Sequence, residues 1–85
     1  MRLMHLGRAR LEMALPRHRP QLRQAREPCL LDLFEAYALA ASTLEDLRQE
    51  YPARVELINE YQKICADLQA EVVILLTLTD ERLFP

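Results

Sequence analysis

The chain has 85 residues, a net charge of -2, one glycine, five prolines and two cysteines. That length allows a single domain whose small core leaves it marginally stable without help. The composition excludes a glycine-rich phosphate loop, and with no dense cysteine pattern and no secretory signal it argues against a disulfide-stapled fold.

The charge is unevenly spread. Residues 1–28 carry seven arginines against Glu12 and Glu27, a balance of +5. Residues 29–85 carry four bases against eleven acids, a balance of -7. The chain therefore divides into a basic N-terminal arm, 1–28, and an acidic body, 29–85. Such asymmetry is typical of interaction proteins. Leu, Ala, Glu, Gln and Arg dominate, all good helix formers, so the expected fold class is all-α.

In the arm, Leu3, Leu6, Leu11 and Leu15 allow a short helix before Pro16. Pro16, Pro20 and Pro28 interrupt any longer one. The stretch after Pro16 has the composition of a mobile linker. The start lacks the continuous apolar run of a secretory signal, while its arginine-rich, acid-poor character is compatible with a transit peptide. Met13 is an alternative start for the product, which would leave residues 1–12 outside it.

The body opens after Pro28. In CLLDLFEAYALAASTLEDLRQEY, Leu30, Leu33, Tyr37, Ala40, Leu44, Leu47 and Tyr51 recur in steps of three and four. That spacing puts one apolar seam on a helix over about 29–50. Residues 42–45, Ser-Thr-Leu-Glu, match a capping box that could start a new helix. With no Gly or Pro beside them they are read as helix interior.

Pro52 disfavours helical geometry at Tyr51 and suits the first position of a second helix, about 52–78. Its seam is Ile58, Tyr61, Cys65, Leu68, Val72 and Leu75, with Leu57, Ile64 and Leu78 beside it. Asp80 and Glu81 oppose the helix dipole, so a stop near Thr79 is expected. The β-branched run from Val72 is read as helix, because no second strand candidate exists to pair with it.

Two arrangements satisfy the seams. One is a helical hairpin reversing near Tyr51–Pro52. The other is a single kinked helix paired with a second chain, since the heptad phase 30, 37, 44, 51 continues into 58, 65, 72. Pro52 and Arg54 favour the hairpin.

The second helix carries more apolar surface than the first can cover, so a second copy or another protein is expected to cover it. The candidate partner-binding residues are Tyr37, Tyr51, Leu57, Tyr61, Ile64, Val73, Ile74 and Leu78. The tyrosines belong there because one end is apolar and the other wet. Phe84, in the terminal LFP, is a further small anchor or a tail residue.

Nothing in the chain assembles catalysis. His5 and His18 lie in the arm, Ser42 has no base near it, and Cys65 sits on an apolar seam. No cofactor or metal is expected, and the chain is read as non-enzymatic.

Three function classes follow. The first is a cytoplasmic regulator that binds and occludes a protein partner. The second is nucleic-acid binding through the arginines, against which stand the acidic body and the lack of an aromatic in the arm to stack a base. The third is a small helical assembly or secretion chaperone, or a homodimer.

The stretch CLLDLFEAYALAASTLEDLRQEYPARVELINEYQKICADLQAEVVILL resembles the small helical antiactivators of rhizobial quorum sensing, the TraM-type and QseM-type proteins, over residues 29–76. The resemblance lies in size, charge and two helices joined at a proline. It implies a cytoplasmic inhibitor whose partner is a LuxR-type transcriptional activator, and it transfers no individual functional residue. The arginine-rich, lysine-poor usage is compatible with a GC-rich bacterial genome.

Overall fold

A computed structural model describes residues 2–83. Phe84 lies outside the described residues. The fold is all-α, with four α-helices: α1 (Arg2–Ala14), α2 (Arg19–Gln24), α3 (Pro28–Gln49) and α4 (Val55–Leu83). A single 3-10 turn, Pro16–His18, links α1 to α2.

The first departure from expectation is the arm. Where the composition suggested a mobile linker, residues 16–25 form the 3-10 turn and α2 and fold back on α1. Two side chains explain the difference. Leu22 of α2 is fully buried, as is Leu11 of α1. The Arg8 guanidinium donates to the carbonyl oxygens of Arg23 and Ala25, each at 3.0 Å, and so satisfies backbone acceptors at the end of a six-residue helix. It also lies 5.4 Å from the centre of the Phe34 ring. One arginine thereby ties α1, α2 and α3 together through two charge-assisted hydrogen bonds and a cation–π contact.

Pro28 takes the first position of α3, where its missing N–H costs nothing. The preceding Glu27 is extended, as a residue before proline prefers to be. From there α3 runs unbroken through Ser42, and Thr43 donates its hydroxyl to the carbonyl of Leu39. The Ser-Thr-Leu-Glu box is helix interior. The buried residues of α3 are Leu30, Phe34, Tyr37, Ala38, Ala40, Ala41, Leu44 and Leu47. That arc is broader than the seam read from the sequence because α3 is packed on two sides, by α1 and by α4.

Between α1 and α3 the contact is close. A Cβ added at Gly7 would lie 1.7 Å from the Phe34 carbonyl oxygen. The single glycine of the chain permits this approach of two helix backbones, not an unusual backbone angle.

Helix α3 ends at Gln49, and Glu50 is extended, so α3 and α4 are not one continuous helix. Pro52 does not begin α4, as was expected; α4 starts at Val55, and the Tyr51–Pro52 bond is cis. Arg54 sits just before that start. Its guanidinium grips the Glu50 carboxylate with two hydrogen bonds of 2.8 Å, and its carbonyl accepts the bond from Ile58 N–H at 3.0 Å. At its other end α4 continues to Leu83, past the stop expected near Thr79. Val72 and Leu76 are buried, and the hydroxyls of Thr77 and Thr79 bond back to Val73 and Leu75, so burial and satisfied hydroxyls carry the β-branched run as helix.

Helices α3 and α4 pack against each other, with Gln69 Nε2 donating to Tyr37 Oη at 2.7 Å. The molecule measures 52 × 22 × 20 Å. Its length reflects α4, whose 29 residues rise about 43 Å at 1.5 Å each.

Candidate docking face

The apolar residues of α4 divide into two sets. Cys65, Val72 and Leu76 are buried, with Ile58, Tyr61, Leu68 and Leu75 packed around them against the core. Another set turns away. Ile64 remains 42% exposed, Ile74 58% and Leu78 46%, and Leu57 and Val73 are half-buried.

The spacing of this second set is regular. Leu57, Glu60, Ile64, Asp67, Glu71, Ile74 and Leu78 follow one another in steps of three and four. Such steps bring successive side chains onto one face of a helix. None of the seven is buried. The face is thus a second seam, four apolar residues interleaved with three acids, extending about 32 Å along the helix. Asp67 pairs with Lys63 at 3.0 Å, whereas Glu60 and Glu71 have no basic partner among the described residues.

At the start of α4 an open depression of about 530 Å³ is lined by Ala53, Arg54, Val55, Glu56, Leu57 and Glu60. Arg54 is committed to Glu50 there. Those hydrogen bonds hold the Glu50 carboxyl below its ordinary range and raise the guanidinium of Arg54.

The candidate partner-binding residues fall into three groups. Leu57, Ile64, Ile74 and Leu78 lie together on the open seam. Tyr61 and Val73 are half-buried on the same helix. The two remaining tyrosines separate: Tyr37 is 7% exposed, in the core with its hydroxyl on Gln69, while Tyr51 is 98% exposed in the α3–α4 connection. Glu60, Asp67 and Glu71 were not singled out from the sequence. Their signal in the sequence is the same three-four spacing, carried by charged rather than apolar positions.

Elsewhere, Arg17, Arg19, Arg23 and Arg26 are all exposed on the α2 side of the molecule. Arg23 reaches Glu12 at 3.2 Å, and Arg26 donates to the carbonyls of Arg23 and Ala25. Cys29 is exposed and Cys65 buried, both as free thiols. Burial pushes the Cys65 thiol up from its ordinary value, opposed in part by the charges of Arg48 and Arg10. Among the described residues no three His, Cys, Asp or Glu side chains are grouped to hold a metal ion. No described helix is long and apolar enough to cross a membrane. In comparisons with protein-family models, curated proteins and solved structures, nothing matches the chain.

Proposed function

We propose that the chain is a small regulatory protein that binds another protein through the open face of α4. In this reading α3 and α4 form a helical hairpin, α1 and α2 brace its other side, and the seam from Leu57 to Leu78 is left for the partner. The observation that carries it is the exposure of Ile64, Ile74 and Leu78 on one helix already packed through its opposite side. A face of this kind gains free energy when covered, at about 25 cal/mol per Å² of apolar surface before the costs of association.

The resemblance to quorum-sensing antiactivators supplies a partner class: a LuxR-type transcriptional activator, held from DNA in a bacterial cytoplasm. The test is capture from nuclease-treated native lysate with tagged full-length protein and with an Ile64→Asp, Ile74→Asp variant. Recovery of one activator in near-equal amount with the parent protein, lost with the variant while circular dichroism stays helical, is the expected result. Capture unaffected by the variant would refute the assignment of the face.

A second reading rests on Arg17, Arg19, Arg23 and Arg26, four exposed arginines within ten residues of a folded corner. These suit phosphate contacts, and binding of that kind falls steeply with salt. Deleting the arm is not a clean test, because Leu11 and Leu22 belong to the core. Changing Arg17, Arg19 and Arg23 to Gln tests it with the fold kept: retained nucleic-acid binding would remove this reading.

A further inference from the structure

The partner surface that α4 accepts can be narrowed from the composition of the seam, on the reading that the seam is the binding face. We infer that the occupant is a basic amphipathic helix of about 20 residues, presenting an apolar stripe flanked by arginine or lysine. The apolar positions Leu57, Ile64, Ile74 and Leu78 require an apolar stripe of matching length. Glu60 and Glu71 lie between them, exposed and without a basic partner among the described residues. A cation on the occupant would complete both.

The same acids argue against a second copy of α4 as the occupant. In an antiparallel pairing centred on Asp67 the two Asp67 carboxylates approach each other, Glu60 faces Ile74, and Glu71 faces Lys63, which Asp67 already holds at 3.0 Å. In a parallel pairing Glu60, Asp67 and Glu71 each meet their own copy. Like charges within a seam disfavour pairing, whereas opposite charges there fix its register and partner. From Val55 to Thr79, α4 carries Glu56, Glu60, Asp67 and Glu71 against Lys63 alone, a charge that disfavours an acidic partner.

The test uses the full-length chain and three synthetic 21-residue peptides. The first places leucine on one helical face and lysine or arginine elsewhere. The second replaces every base by glutamate. The third has the composition of the first with the leucines shuffled, so that no apolar face forms. The readouts are affinity and backbone amide shifts, with sedimentation to follow self-association.

The expected result is one-to-one binding of the first peptide at least tenfold tighter than the other two, with shifts centred on Leu57, Ile64, Ile74 and Leu78. A Glu60→Lys, Glu71→Lys variant that stays helical should then favour the acidic peptide. Equal binding of the acidic peptide, or of the shuffled one, would overturn the inference. So would self-association that shifts the α4 amides and excludes the peptides, because a second copy would then be the cover. These outcomes bear on the class of occupant; lysate capture that survives Ile64→Asp, Ile74→Asp would instead overturn the choice of face.

Discussion

Replacing Gly7 by alanine sets two rules against each other. Alanine is the better helix former by about 1 kcal/mol, and Gly7 sits in the interior of α1. On that ground alone Gly7→Ala should stabilise. The structure reverses the sign. The new methyl would lie 1.7 Å from the Phe34 carbonyl oxygen and 2.5 Å from its carbon, both backbone atoms that no rotamer can move. Real contacts of this kind stay above 3.0 Å, so α1 must shift away from α3 by more than an ångström. Overpacking of this sort costs about 1–3 kcal/mol. The shift also wets Leu11 and Leu22, both fully buried, each worth about 1.5–3 kcal/mol when completely covered. Half of that loss, added to overpacking and reduced by the helix gain, leaves a net destabilisation of about 1.5–5 kcal/mol. Domains of this size are stabilised by only about 4–13 kcal/mol. The assay is urea and thermal unfolding followed by circular dichroism, where a fall in Tm of at least roughly 6 °C is expected. Ala9→Gly on the exposed side of the same helix is the control, with an expected loss of about 1 kcal/mol from propensity alone. A Gly7→Ala protein as stable as its parent would refute the close approach of α1 and α3.

Arg8→Lys should destabilise nearly as much as Arg8→Met, by about 2 kcal/mol, because an ammonium does not reproduce a planar fork that reaches two carbonyls and lies over Phe34; urea titration of both variants checks this. Deleting residues 1–27 should leave a chain without a cooperative unfolding transition, since the surface of α3 around Phe34 and Ala38 loses its cover from α1; a sharp thermal transition in the truncated chain would contradict that. Cys29 should react with a small alkylating agent much faster than Cys65 in the native protein, measured by mass spectrometry of the labelled peptides. The raised pKa of Cys65 also has a sign for stability. Above the ordinary thiol pKa the unfolded chain has lost that proton while the folded chain keeps it, so stability falls as pH rises through this window. A Cys65→Ala variant should show less of that fall in unfolding titrations from pH 7 to 10.

The fold class and the interior of α3 were legible in the sequence because their information is local. Apolar steps of three and four over 22 residues leave few alternatives to a helix, and Pro28 marks its start. The folding of the arm is not legible in the sequence because its contacts are not local. Prolines at 16 and 20 do interrupt the helix, as composition demanded, but interruption is not disorder. Leu22 finds the core, and Arg8, 15 residues before Arg23 in the chain, caps the carbonyls that α2 leaves open. Neither contact has a spacing a linear reading can find. Proline preference alone points to residue 52 as the start of α4, whereas the helix begins at Val55, after Arg54 has paired with Glu50 across the turn.

The candidate face was half legible, and the half that was missed bears most on function. The apolar pattern alone puts Leu57, Ile64 and Leu78 beside the main seam of α4 and leaves Val73 and Ile74 as further surplus. Following every residue at the same spacing joins Leu57, Ile64, Ile74 and Leu78 through Glu60, Asp67 and Glu71 into one stripe. An apolar stripe by itself would suit any greasy partner, a second copy included. Interleaved acids change that, because each unpaired carboxylate taken from water against an apolar or acidic surface costs more than the neighbouring leucine gains. Only a partner bringing its own cations avoids the cost. On the proposed reading the specificity of this face rests on Glu60 and Glu71, which are exposed and have no basic partner among the described residues. Glu60→Gln with Glu71→Gln makes the point experimentally. It should leave the unfolding midpoint within about 0.5 kcal/mol of the parent, as expected of exposed positions. It should also reduce discrimination between basic and acidic helical peptides. A large loss of stability would assign these acids to the fold and remove the argument for a basic partner.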